Sequence, residues 1–191
     1  MKIREIAEND LADIIRLLIE GFPLRNPKYW KTGIDHLTRR PETKGFPRYG
    51  VTLEVNGQLQ GVLLLLTSTI HGSIRSNLSS WYVREPFRNY ATFMFKRVTR
   101  VPGTVYMNLS PSPAALPIAK AFGFKPYTGG VMMYDGRSAF KSDCAQSLSM
   151  TGKHLEAFDA ETRNIIVNHL RMGQRFIQHI MSSFHQLPNF A

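Results

Sequence analysis

The chain has a single cysteine, Cys144, in 191 residues, so it cannot close an internal disulfide, and this suits a reducing compartment. It also has no long apolar run. The longest, Val62 to Leu66, falls far short of the roughly 20 residues needed to cross a bilayer as a helix. Met1-Lys2-Ile3-Arg4 meets charge at once, so no signal peptide is expected and the protein is expected to be cytoplasmic, with no membrane span. Three common catalytic signatures are missing as well. There is no Walker loop, no Ser-His-Asp elbow and no Cys/His pairing at zinc spacing, so no metal is expected. Acidic residues run out early, and none follows Glu161.

What the chain does have is enough apolar material, 43%, to bury one core, and a formal charge of +10. The charge is uneven. Between residues 81 and 140, Arg84, Arg88, Lys96, Arg97, Arg100, Lys120, Lys125 and Arg137 face only Glu85 and Asp135. A basic centre of this kind suits a phosphate-bearing small molecule, and its sign also fits nucleic acid.

The periodicities give an ordered set of elements. Lys2 to Ile6 alternates as a first strand. Asn9 or Asp10 caps a helix with Leu11, Ile14, Ile15 and Leu18 on one face, ending near Gly21. Asn26-Pro27 opens a second helix, with Trp30, Ile34 and Leu37 inward and Arg39-Arg40-Pro41 as its stop. Tyr49, Val51, Leu53 and Val55 share one face of a strand, with Thr52 and Glu54 on the other. Asn56-Gly57 then predicts a tight hairpin into a continuously apolar strand from Leu59 to about Thr67. His71-Gly72 turns the chain again. Further on come a helix from about Asn89 to Arg100, a strand from Thr104 to Asn108, a helix from about Ala114 to Phe122, and a strand near Val131 to Tyr134. Residues 137–158 are polar and small, a linker. From Asp159 a helix is expected through residue 187, with Ile165, Ile166, Leu170, Gly173, Ile177, Ile180 and Phe184 in one stripe that could pair two copies as a homodimer.

Everything centres on residues 78–93. Leu78 to Val83 reads as a strand, Pro86 ends it, and from Tyr90 the spacing of Tyr90, Met94 and Val98 is helical. The first N–H groups of a helix lack internal partners and carry the positive end of its dipole. Arg88, in the turn, adds a charged donor at the same place.

This stretch resembles the cofactor loop of the GNAT superfamily of N-acetyltransferases. In that family a strand ending in an aliphatic residue leads through Pro to (Gln/Arg)-x-x-Gly-x-(Gly/Ala) and a helix. Here Val83, Pro86 and Arg88-Asn89-Tyr90-Ala91-Thr92-Phe93 occupy those places, with Ala91 for the first Gly and Phe93 for the second. Asn108 ending a strand and Gly123-Phe124 closing a helix repeat a second feature of the family. The resemblance covers residues 1–136 and implies an α/β fold: a twisted, mixed, mostly antiparallel sheet flanked by helices, with the C-terminal helix as an extension. It implies an acyl-CoA-dependent transfer, usually of acetyl from acetyl-CoA, to an amine acceptor. It also places the cofactor at Tyr82, Val83, Phe87, Arg88, Asn89, Tyr90, Ala91, Thr92 and Asn108, held largely by backbone.

Transfer needs a neutral amine and, in many relatives, a tyrosine acid four or five residues before Gly-Phe. Those positions here are Ala119 and Ile118. Ser110, Tyr106 and Tyr127 are the available substitutes, with Ser110 taken as the catalytic hydroxyl, and Glu54 is the candidate base. Tyr90 and Phe93 are read as core-facing, and His71 and Trp81 as structural. The missing acid also suits a catalytically silent acyl-CoA-binding module. A sequence pI near 10.0 suits, more weakly, a nucleic-acid-binding protein.

Overall fold

The computed structural model describes residues 1–126, 145–149, 155–156, 158–171 and 177–181, in two units that divide between Pro126 and Tyr127. The first unit is a five-stranded sheet in the order β1-β2-β3-β4-β5. Its strands are β1 (Lys2–Glu5), β2 (Gly50–Val55), β3 (Gln58–Ile70), β4 (Ser73–Val83) and β5 (Thr104–Met107). The pairs β1–β2, β2–β3 and β3–β4 are antiparallel, and β4–β5 is parallel. The helices are α1 (Leu11–Gly21), α2 (Pro27–Thr38), α3 (Ala91–Val98) and α4 (Ala115–Ala121). This is the mixed, mostly antiparallel α/β fold that the sequence implies.

Turn chemistry builds the long central ribbon. Asn56 and Gly57 have φ of 50° and 77°, and His71 and Gly72 have 47° and 75°. Two successive positive φ values give the hairpin turn whose twist matches that of the strands. The second hairpin is longer than the composition suggests. β4 begins at Ser73, directly after the turn, and Ser73–Asn77 pairs with Leu66–Ile70 at the end of β3.

The sheet is covered on both faces. Ile14, Leu17 and Leu18 of α1 and Trp30, Ile34 and Leu37 of α2 pack on one face with Tyr49, Val62 and Leu64. Met94, Phe95 and Val98 of α3 and Ala119 of α4 pack on the other with Val51, Leu53, Leu63, Leu65, Leu78 and Val83. Thr52 is therefore buried rather than solvated, and its hydroxyl donates to Gly61 O at 2.8 Å. Tyr49 does not share the face of Val51 and Leu53, because Gly50 (φ 118°) turns the chain between them. A Cβ at Gly50 would lie 2.2 Å from Leu63 O, so only glycine fits there.

The helix starts follow their caps in part. Asn26 Oδ1 accepts from Tyr29 N–H at 2.8 Å, as expected for α2. Asp10 does not cap α1 through its side chain. Its carboxylate instead accepts from Ala7 N–H (2.8 Å) and holds Arg4 by two bonds, of 2.6 and 2.8 Å.

The second unit corrects the expected helix over 159–187. Asp159 does cap a helix, accepting from Thr162 N–H at 2.9 Å, but that helix is α5 (Ala160–Arg171). Ile177–Met181 forms a strand, β7, antiparallel to β6 (Ala145–Ser149), which falls inside the stretch read as linker. Gly173 lowers helix propensity within the stripe, and the β-branched Ile177 and Ile180 suit a strand. The strand expected at Val131 to Tyr134 lies outside the described residues. Among the described residues no helix is long and apolar enough to cross a membrane.

Candidate functional site

β4 and β5 pair over only four residues, from Ile74↔Thr104 to Asn77↔Met107. Beyond that point β4 continues to Val83, and the last tie between the segments is a side chain, with Leu109 N–H donating to Asn77 Oδ1 at 3.3 Å. The result is a wedge, with one wall made by β4 from Leu78 to Val83 and its apex near Asn77, Met107 and Asn108.

The wedge wall is bulged. Val62 pairs with Tyr82 but Leu64 with Ser79, so Ser80 and Trp81 together face Leu63. Ser80 takes φ 50°, unusual for a residue other than glycine. The extra residue changes the parity of the strand. Leu78, Trp81 and Val83 all turn to the α3/α4 face, while Tyr82 packs on the α1/α2 face. Trp81 stacks on Phe95 with ring centroids 5.5 Å apart, and its indole N–H is buried without an acceptor. The bulge was not foreseen, although its signal was present: the apolar Leu78, Trp81 and Val83 stand at an odd spacing that a flat strand cannot put on one face.

The end of the wedge wall is tied down by charge. Arg84 donates to both oxygens of Glu20, at 3.0 Å from Nε and 2.7 Å from Nη2, and to Gln60 Oε1 at 3.1 Å. Tyr82 OH donates to Glu20 at 2.9 Å. The Arg84 guanidinium, then the Tyr82 hydroxyl, hold the Glu20 carboxyl below its ordinary value against desolvation, and burial followed by Glu20 pushes the Tyr82 hydroxyl up. α1 can approach this closely because Gly21 has no side chain. A Cβ there would sit 2.3 Å from the Tyr82 ring.

From Arg84 the chain forms a 3₁₀ turn (Glu85–Tyr90) that runs directly into α3. Phe87 N–H donates to Arg84 O at 2.9 Å and Ala91 N–H to Arg88 O, so these two loop amides are already engaged. Arg88 is exposed, and its nearest acid is Glu85 at 4.0 Å. Asn89 and Thr92 are exposed beside it, while Phe87, Tyr90 and Ala91 pack against the core. The reading of Phe93 as a core residue is corrected. It is 57% exposed, its ring 6.4 Å from that of Tyr90, so its bulk does not obstruct packing under α3.

The candidate catalytic residues are placed less favourably. Glu54 lies on β2, three strands from β5, roughly 14 Å at ordinary strand spacing. It accepts from Arg4 Nε at 2.7 Å and meets Lys2 Nζ at 3.1 Å. The Arg4 bond, then Lys2, hold its carboxyl below the ordinary value, which weakens it as a base. Glu54 is therefore a structural anion, and its assignment as base does not fit. Ser110 is exposed, two residues beyond Asn108. Tyr106 OH accepts from Val101 N–H at 3.1 Å. Ala119 is buried and Ile118 packs beside it, so neither position faces solvent as a donor would. Tyr127 lies outside the described residues.

No protein-family model matches the chain, and no curated protein matches it. Solved structures do. An aminoglycoside 6'-N-acetyltransferase of Acinetobacter haemolyticus is 14% identical, with 71% of this chain and 98% of that one covered at a TM-score of 0.53. Another aminoglycoside N-acetyltransferase, AAC(6')-Iy, solved in complex with CoA, is 17% identical over 71% of this chain and 94% of its own, with a TM-score of 0.54. The chain shares its fold with these acetyltransferases. A Pyrococcus horikoshii protein described as a putative acetyltransferase reaches a TM-score of 0.58 at 15% identity, over 92% of this chain and 63% of that one.

Proposed function

We propose that the protein is an acyl-CoA-dependent N-acyltransferase, moving an acetyl group from acetyl-CoA to an amine. The observation that carries this is the wedge. β4 runs six residues past its pairing with β5, bulges at Ser80, and delivers the chain into a basic turn at the start of α3. An extended amide-bearing arm fits beside β4 from Leu78 to Val83, and a pyrophosphate beside Arg88, Asn89 and Thr92 at the turn. The CoA bound to AAC(6')-Iy, which shares the fold, supports a CoA ligand.

In the reaction, the amine nitrogen attacks the thioester carbonyl carbon, the C–S bond breaks, the nitrogen gives its proton to solvent water, and the thiolate leaves. A thiol pKa near that of free cysteine, about 8.5, lets the thiolate depart with little help from an acid. We assign to Ser110, two residues beyond Asn108, the role of passing a proton from water to the thiolate. The residues at the turn bind and orient, and the buried wedge wall excludes water from one side of the arm.

Calorimetric titration with acetyl-CoA tests binding, and release of free CoA thiol in the presence of amines tests transfer. Saturable binding with thiol release confirms the reading. Binding without release from any amine favours the silent module, and no binding refutes both.

A further inference from the structure

Away from the wedge, the segment joining α2 to β2 closes a small pocket against the far end of β3. Its lining includes Arg40, Arg48, Glu42, Thr43 and Thr67 among apolar residues such as Leu37 and Phe46. Its two guanidinium groups outnumber its one carboxylate, and that carboxylate is held by Arg48. Arg40 is half-buried, and the sole hydrogen bond of its side chain among the described residues runs from Nη2 to the Thr67 carbonyl at 3.1 Å. The other partly buried arginines have carboxylates: Arg4 has Asp10 and Glu54, Arg48 has Glu42, and Arg84 has Glu20. Arg40 has none, and burial alone lowers its pKa. Arg48 spends Nη1 on Glu42 at 2.6 Å and Nη2 on Thr38 O, but its Nε is buried with no acceptor among the described residues.

A half-buried guanidinium without a counter-charge is costly, and so is a buried N–H without an acceptor. One anionic oxygen between the two side chains relieves both. The pocket has about 10 Å³ of room, enough for a single water-sized atom. A planar carboxylate can insert one oxygen there and leave the other at the mouth, whereas a phosphate inserting one oxygen must crowd three more against the mouth. We propose that Arg40 and Arg48 form a carboxylate-binding site, taking the terminal acid group of a small organic ligand. This does not depend on the acyl-transfer reading.

The site also has a defined position. Thr67 pairs with Ser76, one residue before Asn77, where β4 and β5 part. The pocket thus lies level with the wedge apex, with β3 and β4 between them, roughly 10 Å at ordinary strand spacing.

The test follows the arginine Nε–H signals of the full-length protein by NMR while acetate replaces chloride at constant ionic strength. The buried Arg48 Nε–H exchanges slowly with water and is observable. The expected result is a saturable shift of the Arg40 and Arg48 signals only, with Arg40→Gln weakening binding roughly tenfold or more and Arg40→Lys, which keeps charge but loses the fork, falling between. Glu42→Gln, which frees Arg48 Nη1, should tighten binding about two- to threefold. A small, unsaturable drift of every arginine signal would show screening alone and overturn the site. So would saturation unchanged in both Arg40 variants. Phosphate saturating at lower concentration than acetate would overturn the carboxylate assignment.

Discussion

Replacing Asp10 by Asn removes one charge and alters almost nothing else in shape. The carboxylate is 11% exposed and its partner Arg4 29%. It receives Arg4 Nη1 at 2.6 Å and Nη2 at 2.8 Å, and Ala7 N–H at 2.8 Å. An asparagine oxygen can keep the Ala7 bond, but its NH₂ group cannot accept from the guanidinium. Breaking a fully buried pair from one side costs about 3–5 kcal/mol. Arg4 here retains Glu54 and some water, so the cost is expected at about 2–3 kcal/mol. For a chain of 191 residues that lowers Tm by roughly 4–12 °C. The pH dependence has a definite sign. Arg4, then the Ala7 bond, hold the folded-state carboxyl below 3.8. Its stabilising contribution is therefore complete above that ordinary value and is lost as pH falls through the depressed one. Thermal melts of both proteins followed by circular dichroism should differ most near neutrality and converge under acid conditions. Equal Tm values at pH 7, or a difference that persists undiminished in acid, would refute the assignment.

Three further outcomes are expected. Arg88→Ala should weaken acetyl-CoA binding about tenfold by calorimetry, the loss of one exposed charge-assisted donor, with an unchanged Tm; full affinity would remove the turn from the cofactor site. Gly21→Ala should push the Tyr82 ring from its place and loosen the Glu20–Tyr82–Arg84 contacts, lowering Tm and shifting the Tyr82 ring signals in NMR. Glu54→Gln should lower Tm through the loss of Arg4 and Lys2 while leaving CoA-thiol release with an active acceptor within about twofold, and a large fall in rate would restore Glu54 as the base.

Period and turn chemistry in this chain carry far more about elements than about side-chain roles. The Asn56-Gly57 and His71-Gly72 dipeptides locate both hairpins because two positive φ values leave few residue choices. Asn26-Pro27 likewise marks the start of α2. What fails are readings that assume unbroken periodicity. Gly50 puts Tyr49 on the opposite face from Val51, and Ser80 does the same to β4, because a single unusual φ reverses every side chain beyond it. Glu54 looks like a solvated strand carboxylate in isolation. Its ties to Lys2 and Arg4 come from β1, 50 residues away in sequence for Arg4, and no local pattern announces them. The stripe from Ile165 to Phe184 has a helical spacing that a strand partner at Ala145–Ser149 overrides over Ile177–Met181.

The bulge gives a test in which propensity and geometry predict opposite signs. On a flat strand, Ser80→Val would stabilise, since valine is favoured over serine in sheets on a scale spanning about 1 kcal/mol. Ser80, however, holds φ 50°, where a β-branched side chain crowds the neighbouring backbone. The left-handed conformation costs an ordinary residue roughly 1–2 kcal/mol, and valine more than serine, whose short side chain reaches its neighbours; here the Ser80 hydroxyl lies 3.3 Å from that of Ser79. Valine should therefore destabilise by about 1–2 kcal/mol in urea titration. Glycine at the same place should be neutral or slightly stabilising, because relief of strain offsets its greater freedom in the unfolded chain. If valine stabilised the protein, Ser80 would be an ordinary strand residue, Leu78, Trp81 and Val83 could not share the α3/α4 face, and the bulged wedge wall would be lost as the observation that carries the acyl-CoA reading.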